Sequence, residues 1–220
     1  MLLLMSLALA GPLQDVLATE LERSQAALSE RDDAPYYIAL AAQDGQHSAL
    51  KARYGTVMSR RTYHSRLLDV DLRVGSPTLD STHELRGFSS LDGDSRDVVD
   101  LPLDDDPAVL AHAVWRELDS AYRDATERVQ LVRANQQVMV EEEAPAPDFQ
   151  ADLPPQQATV EGEAVRVDLD LWEPVLVSLS QQLESDPWVL DASVDLGVQD
   201  IVKVFVDSDG SRIEQRRTHA

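Results

Sequence analysis

Residues Leu68-Asp69-Val70-Asp71-Leu72-Arg73-Val74 carry the reading on which the fold turns. Leu68, Val70, Leu72 and Val74 alternate with Asp69, Asp71 and Arg73, the period of two expected of a strand with one buried and one wetted face. Upstream, the same strand reaches back to Tyr63, and Ser59-Arg60-Arg61 breaks it from a long stretch, Ser48 to Val57. The polar Asp44-Gly45-Gln46 separates that stretch from Tyr36-Tyr37-Ile38-Ala39-Leu40. The expectation is a three-stranded antiparallel start with turns at 44–46 and 59–61.

Before these strands, Leu13, Leu17, Leu21, Ser24 and Leu28 recur at spacings of three and four, an amphipathic helix that Arg31-Asp32-Asp33-Ala34-Pro35 ends. After them, Gly75-Ser76-Pro77 closes the strand, and the polar run to Asp100 has no sustained period and reads as loop. Asp104-Asp105-Asp106-Pro107 marks a helix start, with a carboxylate to cap free N–H groups and Pro where its missing donor costs nothing. Leu110, Val114, Leu118, Ala121, Ala125, Val129 and Val132 then keep one stripe over roughly seven turns of the 3.6-residue repeat.

From Glu141 to Glu173 ten acids face Arg166 alone, a local charge of −9, and Pro145, Pro147, Pro154 and Pro155 make the first half an extended linker or a strap over the surface. A further helix presents Trp172, Leu176, Leu179 and Leu183 on one face, with Pro174 near its start. Strands return at Val194, Leu196 and Val198 and at Ile201 to Val206, and Asp207-Ser208-Asp209-Gly210 turns the chain into Ser211-Arg212-Ile213. Grouped strands rather than strictly alternating ones predict an α+β fold: an antiparallel or mixed sheet with helices packed on one face and one long central helix. The organisation expected is a candidate signal peptide at 1–10, a helix, hairpin and long helix at 11–140, an acidic Pro-rich linker or strap at 141–167, and a helix plus hairpin at 168–220 that completes the same domain.

The chain has 220 residues, with 19 Lys+Arg against 40 Asp+Glu, a net charge of −21 and a pI near 4.4. So acidic a chain repels nucleic-acid phosphates and anionic membrane surfaces, which excludes nucleic acid as the expected partner. No segment is apolar for long enough to span a membrane. Met1 to Ala10 (MLLLMSLALA) ends in Ala8-Leu9-Ala10, a pattern that signal peptidase accepts, but it lacks a basic n-region. It reads either as an export signal, placing the protein in the periplasm or outside the cell, or as the apolar start of the first helix of a cytoplasmic protein.

The absence of cysteine rules out disulfides, thiolate zinc sites and a Cys nucleophile. None of His47, His64, His83, His112 and His219 has a second histidine at helical spacing. His83-Glu84-Leu85-Arg86-Gly87 begins like a zincin motif but ends in Gly87, and His112 stands five residues before Glu117, on another helix face. Asp207-Ser208-Asp209-Gly210 opens like a calcium loop, yet Thr218 stands where the bidentate Glu is needed, so a hairpin turn is expected. There is no Gly-x-Ser-x-Gly elbow and no phosphate-binding glycine loop. One local feature opposes the overall charge. Between Gly45 and Leu68 stand Lys51, Arg53, Arg60, Arg61 and Arg66 with no acid, a candidate surface for a carboxylate or an acidic segment such as Glu141-Glu142-Glu143. The alternative is a solvated strand face whose cations protect an edge.

The order of segments resembles a known family. Leu21-Glu22-Arg23-Ser24-Gln25-Ala26-Ala27-Leu28, then Ala34-Pro35-Tyr36-Tyr37, a long hairpin ending in Asp71-Leu72-Arg73-Val74-Gly75, Leu79-Asp80-Ser81-Thr82-His83, and the Asp-capped helix of Trp115 and Tyr122 are similar to the N-terminal domain of the TldD/PmbA family, metallopeptidase-related proteins once called modulators of DNA gyrase. Trp172 to Leu183, Ala192-Ser193-Val194 and Val206 to Ile213 extend the likeness over nearly the whole chain after residue 12. Order and spacing carry it, and in particular the chain resembles the variant of that family that carries an export signal.

The resemblance implies an α+β domain that helps build a homo- or heterodimer around a peptide-binding chamber. It also implies that the metal site, with two histidines, a glutamate and a cysteine, belongs to a C-terminal part. No position here matches those ligands, so no catalytic residue, metal ligand or cofactor is expected in this chain, and a zinc-type metal only in that further part. The chain is expected to be a non-catalytic domain for scaffold, dimerisation and peptide gating, either the start of a longer reading frame or a stand-alone module. The alternative is an exported acidic binding module without an enzymatic relative.

Overall fold

The computed structural model describes residues 12–85, 98–136, 146–150 and 153–220. Residues 1–10, Arg86-Gly87 and Glu141-Glu142-Glu143 lie outside these. Helix α1 (Pro12–Leu28) leads into two long strands, β1 (Pro35–Arg53) and β2 (Thr56–Ser76), and two short ones, β3 (Leu79–Asp80) and β4 (Val99–Asp100). Helix α2 (Pro107–Gln136), β5 (Gln157–Val160), α3 (Leu169–Glu184), β6 (Ser193–Asp207) and β7 (Arg212–His219) complete the fold. The seven strands form a sheet in the order β3-β2-β1-β6-β7-β5, with β4 paired to β2. The class is α+β.

The expected three-stranded start is in fact two strands. Nothing turns at 44–46, because the Asp44 carboxylate is occupied in the ladder: Arg66 Nε and His64 Nε2, both on β2, reach it at 2.7 and 2.5 Å. Nor does β2 break at 59–61. The chain reverses at Tyr54-Gly55, whose φ angles of 53° and 65° are the left-handed pair that a two-residue hairpin loop demands. The polar run before Asp100, read as loop, contains β3 and β4, paired antiparallel to β2 through Gly75↔Asp80 and Leu68↔Val99. Two-residue strands are too short to leave a period in sequence.

The chain divides into two compact units, each built from discontinuous segments. Unit 1 comprises residues 1–42, 67–159 and 204–214. In it α1 packs against α2, and the core gathers Leu17, Ile38, Leu40, Leu68, Val114 and Val129. The α2 stripe is buried as its spacing requires, at Leu110, Val114, Leu118, Ala125, Val129 and Val132. Asp106 caps the helix by accepting from the Ala108 N–H at 2.8 Å. Strand β1 is buried on both faces from Tyr37 to Leu40, as befits an interior strand.

Unit 2 comprises residues 43–66, 160–203 and 215–220. Its core is small: Leu50 and Ala52 of β1 against Leu169 and Leu176 of α3, with Val57, Val194 and Leu196 at its margin. The α3 face differs from the expected one. Leu176 is buried as read, but its companions are Leu169 and Ser180, while Trp172, Leu179 and Leu183 are left more than 40% exposed. Ser180 accounts for the rotation. Its hydroxyl accepts from the Gly55 N–H at 3.1 Å and donates to the Val177 carbonyl at 3.0 Å, so a polar residue is drawn inward to close the hairpin turn.

Candidate functional site

The basic hairpin of unit 2 is extensively paired. Lys51 reaches Asp195 at 3.3 Å, Arg53 reaches Asp191 at 2.7 Å, and Arg60 bridges Asp170 and Glu173 in the first turns of α3 at 2.6 and 3.0 Å. Arg66 is buried against Asp44. Arg61 is exposed and has no ion pair among the described residues. Acids of α3, β6 and its approach thus meet the cations, and the stretch Glu141-Glu142-Glu143 lies outside the description. These are mostly surface pairs screened by solvent, so they orient α3 and the hairpin more than they stabilise them.

The same hairpin brings Ser65 Oγ to 3.0 Å from His47 Nε2, a nucleophile-and-base spacing. A third member is not found among the described residues. His47 Nδ1 is buried without a partner among the described residues, and the ring instead stacks on Tyr63 at 4.5 Å. Among the described residues no carboxylate reaches the ring to fix its tautomer.

Unit 1 contains a denser polar site that the alternation of β2 concealed. Arg73, placed by its period on the wet face, is only 9% exposed, because residues from β3 and from 146–150 cover it. Asp80 is completely buried, at 0%. Tyr36 Oη donates to its Oδ2 at 2.6 Å, Arg73 Nη1 to the same oxygen at 3.2 Å, and the Thr82 N–H and hydroxyl to Oδ1 at 2.6 and 2.7 Å. Burial by itself raises the Asp80 carboxyl, but the bonds from Thr82 and Tyr36 and the charge of Arg73 outweigh it and hold the group below the usual carboxylate range. Burial, then the bond to Asp80, pushes the Tyr36 hydroxyl well above its ordinary value. Burial with the nearby charges of Asp207 and Asp71 pushes Tyr37 up to about 12.

The turn that presents Asp80 is tight. Gly75 has φ +117°, and a Cβ there would stand 2.7 Å from the Leu79 carbonyl oxygen. The backbone closes through Ser81 N–H to the Val74 carbonyl at 2.9 Å, and the Ser81 hydroxyl accepts from the Val74 N–H at 3.2 Å.

Within 141–167, read as a linker or a strap, the described residues Asp148-Phe149 reach this site. Asp148 Oδ2 accepts from the Asp80 N–H at 2.9 Å and its Oδ1 lies 2.7 Å from His83 Nδ1. The Phe149 ring lies 4.6 Å from that of Tyr37 and 4.7 Å from the Arg73 guanidinium, with Tyr36 edge-on at 5.9 Å. His83, the head of the zincin-like run, is therefore a partner of the strap. No group of three or more His, Asp or Glu among the described residues is arranged to hold a metal. Asp207 accepts from the Ser211 N–H at 2.7 Å and Gly210 takes φ +100°, so that run is the expected hairpin turn. His112 stacks on Trp115 at 5.6 Å. No described helix is long and apolar enough to cross a membrane.

The fold and these sites define an α+β protein in which the buried Arg66, Arg73 and Asp80 are met by side chains of the same chain. No protein-family model and no curated protein matches the sequence. Solved structures with a similar chain path include TldE from Thermococcus kodakarensis, at 11% identity, TM-score 0.46, and 92% of this chain over 37% of that one. A proposed modulator of DNA gyrase from Thermotoga maritima gives 9%, 0.45, 91% and 37%. A protein of the same description from Bacteroides thetaiotaomicron gives 9%, 0.47, 93% and 38%. This chain therefore spans less than two fifths of the length of these structures.

Proposed function

We propose that the chain is a non-catalytic, TldD/PmbA-like domain that serves as a scaffold, pairs with a second copy of itself, and handles peptide for chemistry performed elsewhere. The family comes from the order of sequence segments. The observation that carries the association is α3. Leu171, Trp172, Val175, Leu179 and Leu183 lie along one side of the helix at exposures of 42–71%. Single exposed apolar residues are ordinary, but a contiguous stripe on a soluble domain marks a surface that another protein covers. On this reading residues 1–10 are an export signal, which the mass of the mature N-terminus reports.

Light scattering tests the association. The chain is expected to run as a dimer, and Leu179→Glu with Leu183→Glu as a folded monomer; a monomeric wild type at tens of micromolar overturns it. Peptide hydrolysis tests the rest. No turnover is expected with or without added zinc, and metal-dependent turnover by this chain rejects the non-catalytic role. The alternative, an acidic module that holds an anionic ligand on the basic hairpin, is weaker because a ligand would have to displace Asp195, Asp191, Asp170, Glu173 and Asp44 from the cations they pair.

A further inference from the structure

The cradle that holds Asp148-Phe149 is made by groups that hold one another in place. Arg73 is fixed by Asp71 at 3.1 Å and by Asp80, and Asp80 by Tyr36 and Thr82. None of these bonds needs the strap. What the strap adds is a short list that any extended peptide could supply. One carboxylate accepts from the Asp80 N–H and meets His83, and one ring fills the gap between Tyr37 and Arg73. The next backbone N–H donates to the Pro77 carbonyl at 3.0 Å, and the Asp148 carbonyl accepts from Arg73 at 3.4 Å. The segment 146–150 has no ladder of its own, and among the described residues side chains and two backbone bonds hold it.

We propose that this cradle is a peptide-binding site for an Asp-aromatic pair in an extended segment, and that Asp148-Phe149 fills it in cis. The chemistry is specific in both positions. Asn in place of Asp loses the charge that His83 and the Asp80 amide meet, and an aliphatic residue in place of Phe loses the guanidinium and ring stacking. A tethered segment acts at an effective concentration of about millimolar, so a peptide from another chain competes only above that level or once the strap is removed. The inference deepens the proposed function and rests on its peptide-handling role, but needs neither the dimer nor the family.

The probe is the labelled octapeptide Ala-Pro-Ala-Pro-Asp-Phe-Gln-Ala, the sequence of residues 144–151. Asp148→Ala with Phe149→Ala removes both anchoring side chains from the cradle without touching its walls, leaving only the two backbone bonds to hold the segment. That variant is expected to bind the probe saturably and at least about tenfold more tightly than the wild type, as removal of a tethered competitor requires. A probe with Ala at both the Asp and Phe positions is expected not to bind. A variant with native near-ultraviolet dichroism that does not bind the probe overturns the proposal. Should the variant not fold, the wild type is titrated with probe to about ten times the strap's effective concentration and followed by NMR. Shifts at the Arg73 Nε–H and His83 ring signals are expected, and their absence equally overturns it. Failure of binding leaves the dimer and the lack of hydrolysis standing, whereas hydrolysis of the probe would reject the proposed function and leave the binding site intact.

Discussion

Arg73 shows how a single position can satisfy a sequence pattern and yet not do what the pattern implies. Its place between Leu72 and Val74 is that of a solvent-facing strand residue, and a guanidinium there is unremarkable. It is buried because Asp71, Asp80 and Thr82 supply acceptors and Phe149 supplies a ring, so the cost of desolvating a cation is offset by charge-assisted bonds. These partners lie up to 76 residues away, and no local period reports them. The same network sets the pH behaviour. Tyr36 and Tyr37 have raised folded-state values, so their contribution to stability is complete below the ordinary phenol value of about 10 and is lost as pH rises through the folded values. Asp80 has the opposite sign: its contribution is complete above about 4 and is lost as pH falls further. In an absorbance titration of the folded protein at 295 nm, at least two of the five tyrosines are expected to stay un-ionised at pH 11 and to ionise when denaturant is added. Full ionisation of the folded protein at that pH would contradict the buried network.

At the scale of elements, the strands were legible as apolar alternation but their ends were not. Asp44-Gly45-Gln46 and Ser59-Arg60-Arg61 have turn composition, and each is held extended by a partner from elsewhere: Asp44 by Arg66 and His64, Arg60 by Asp170 and Glu173. The real reversal, Tyr54-Gly55, has Gly at only one of its two positive-φ positions, a weak signal beside Asp44-Gly45. Helix α2 was readable almost residue by residue, since seven turns of one stripe outweigh any single exception. Helix α3 is short and apolar on much of its surface, so its period could not choose between the Trp172 side and the Ser180 side; the hairpin turn that needed an acceptor chose. Gly75 offers a test at this scale. Gly75→Ala places a Cβ against the Leu79 carbonyl at a positive φ, and is expected to destabilise the fold by about 2 kcal/mol, the range for an alanine held in a strained backbone region. Because the strained turn presents Asp80, the same substitution is expected to let Tyr36 ionise at lower pH. A variant with unchanged denaturation midpoint would show that the turn relaxes freely.

For the molecule as a whole, the charge of −21 is the dominant long-range term. On the proposed association, two copies meeting through the α3 stripe would bring like charges together, with apolar burial as the favourable term. Raising sodium chloride from about 0.05 to 0.5 M shortens the Debye length from roughly 14 to 4 Å, so the dimer is expected to tighten with salt. Sedimentation equilibrium at the two salt concentrations checks this. Weakening with salt would mean that the basic hairpin meets an acidic surface of the partner instead, and would move the interface away from α3. The acids that the sequence concentrates between Glu141 and Glu173 take separate roles in the structure. Asp148 enters the cradle, Asp168 caps α3 by accepting from the Asp170 N–H at 3.0 Å, and Asp170 and Glu173 meet Arg60.

Composition and contacts within a few residues were enough for the class of fold, the long α2 stripe, the turn at 207–210, the absence of cysteine and the absence of two histidines at helical spacing. Which polar residues are buried followed instead from contacts between residues far apart in sequence. Arg73, Asp80 and Ser180 are inside because distant backbone and side-chain groups meet their hydrogen-bonding needs there, and a buried polar group is tolerable only where such partners converge.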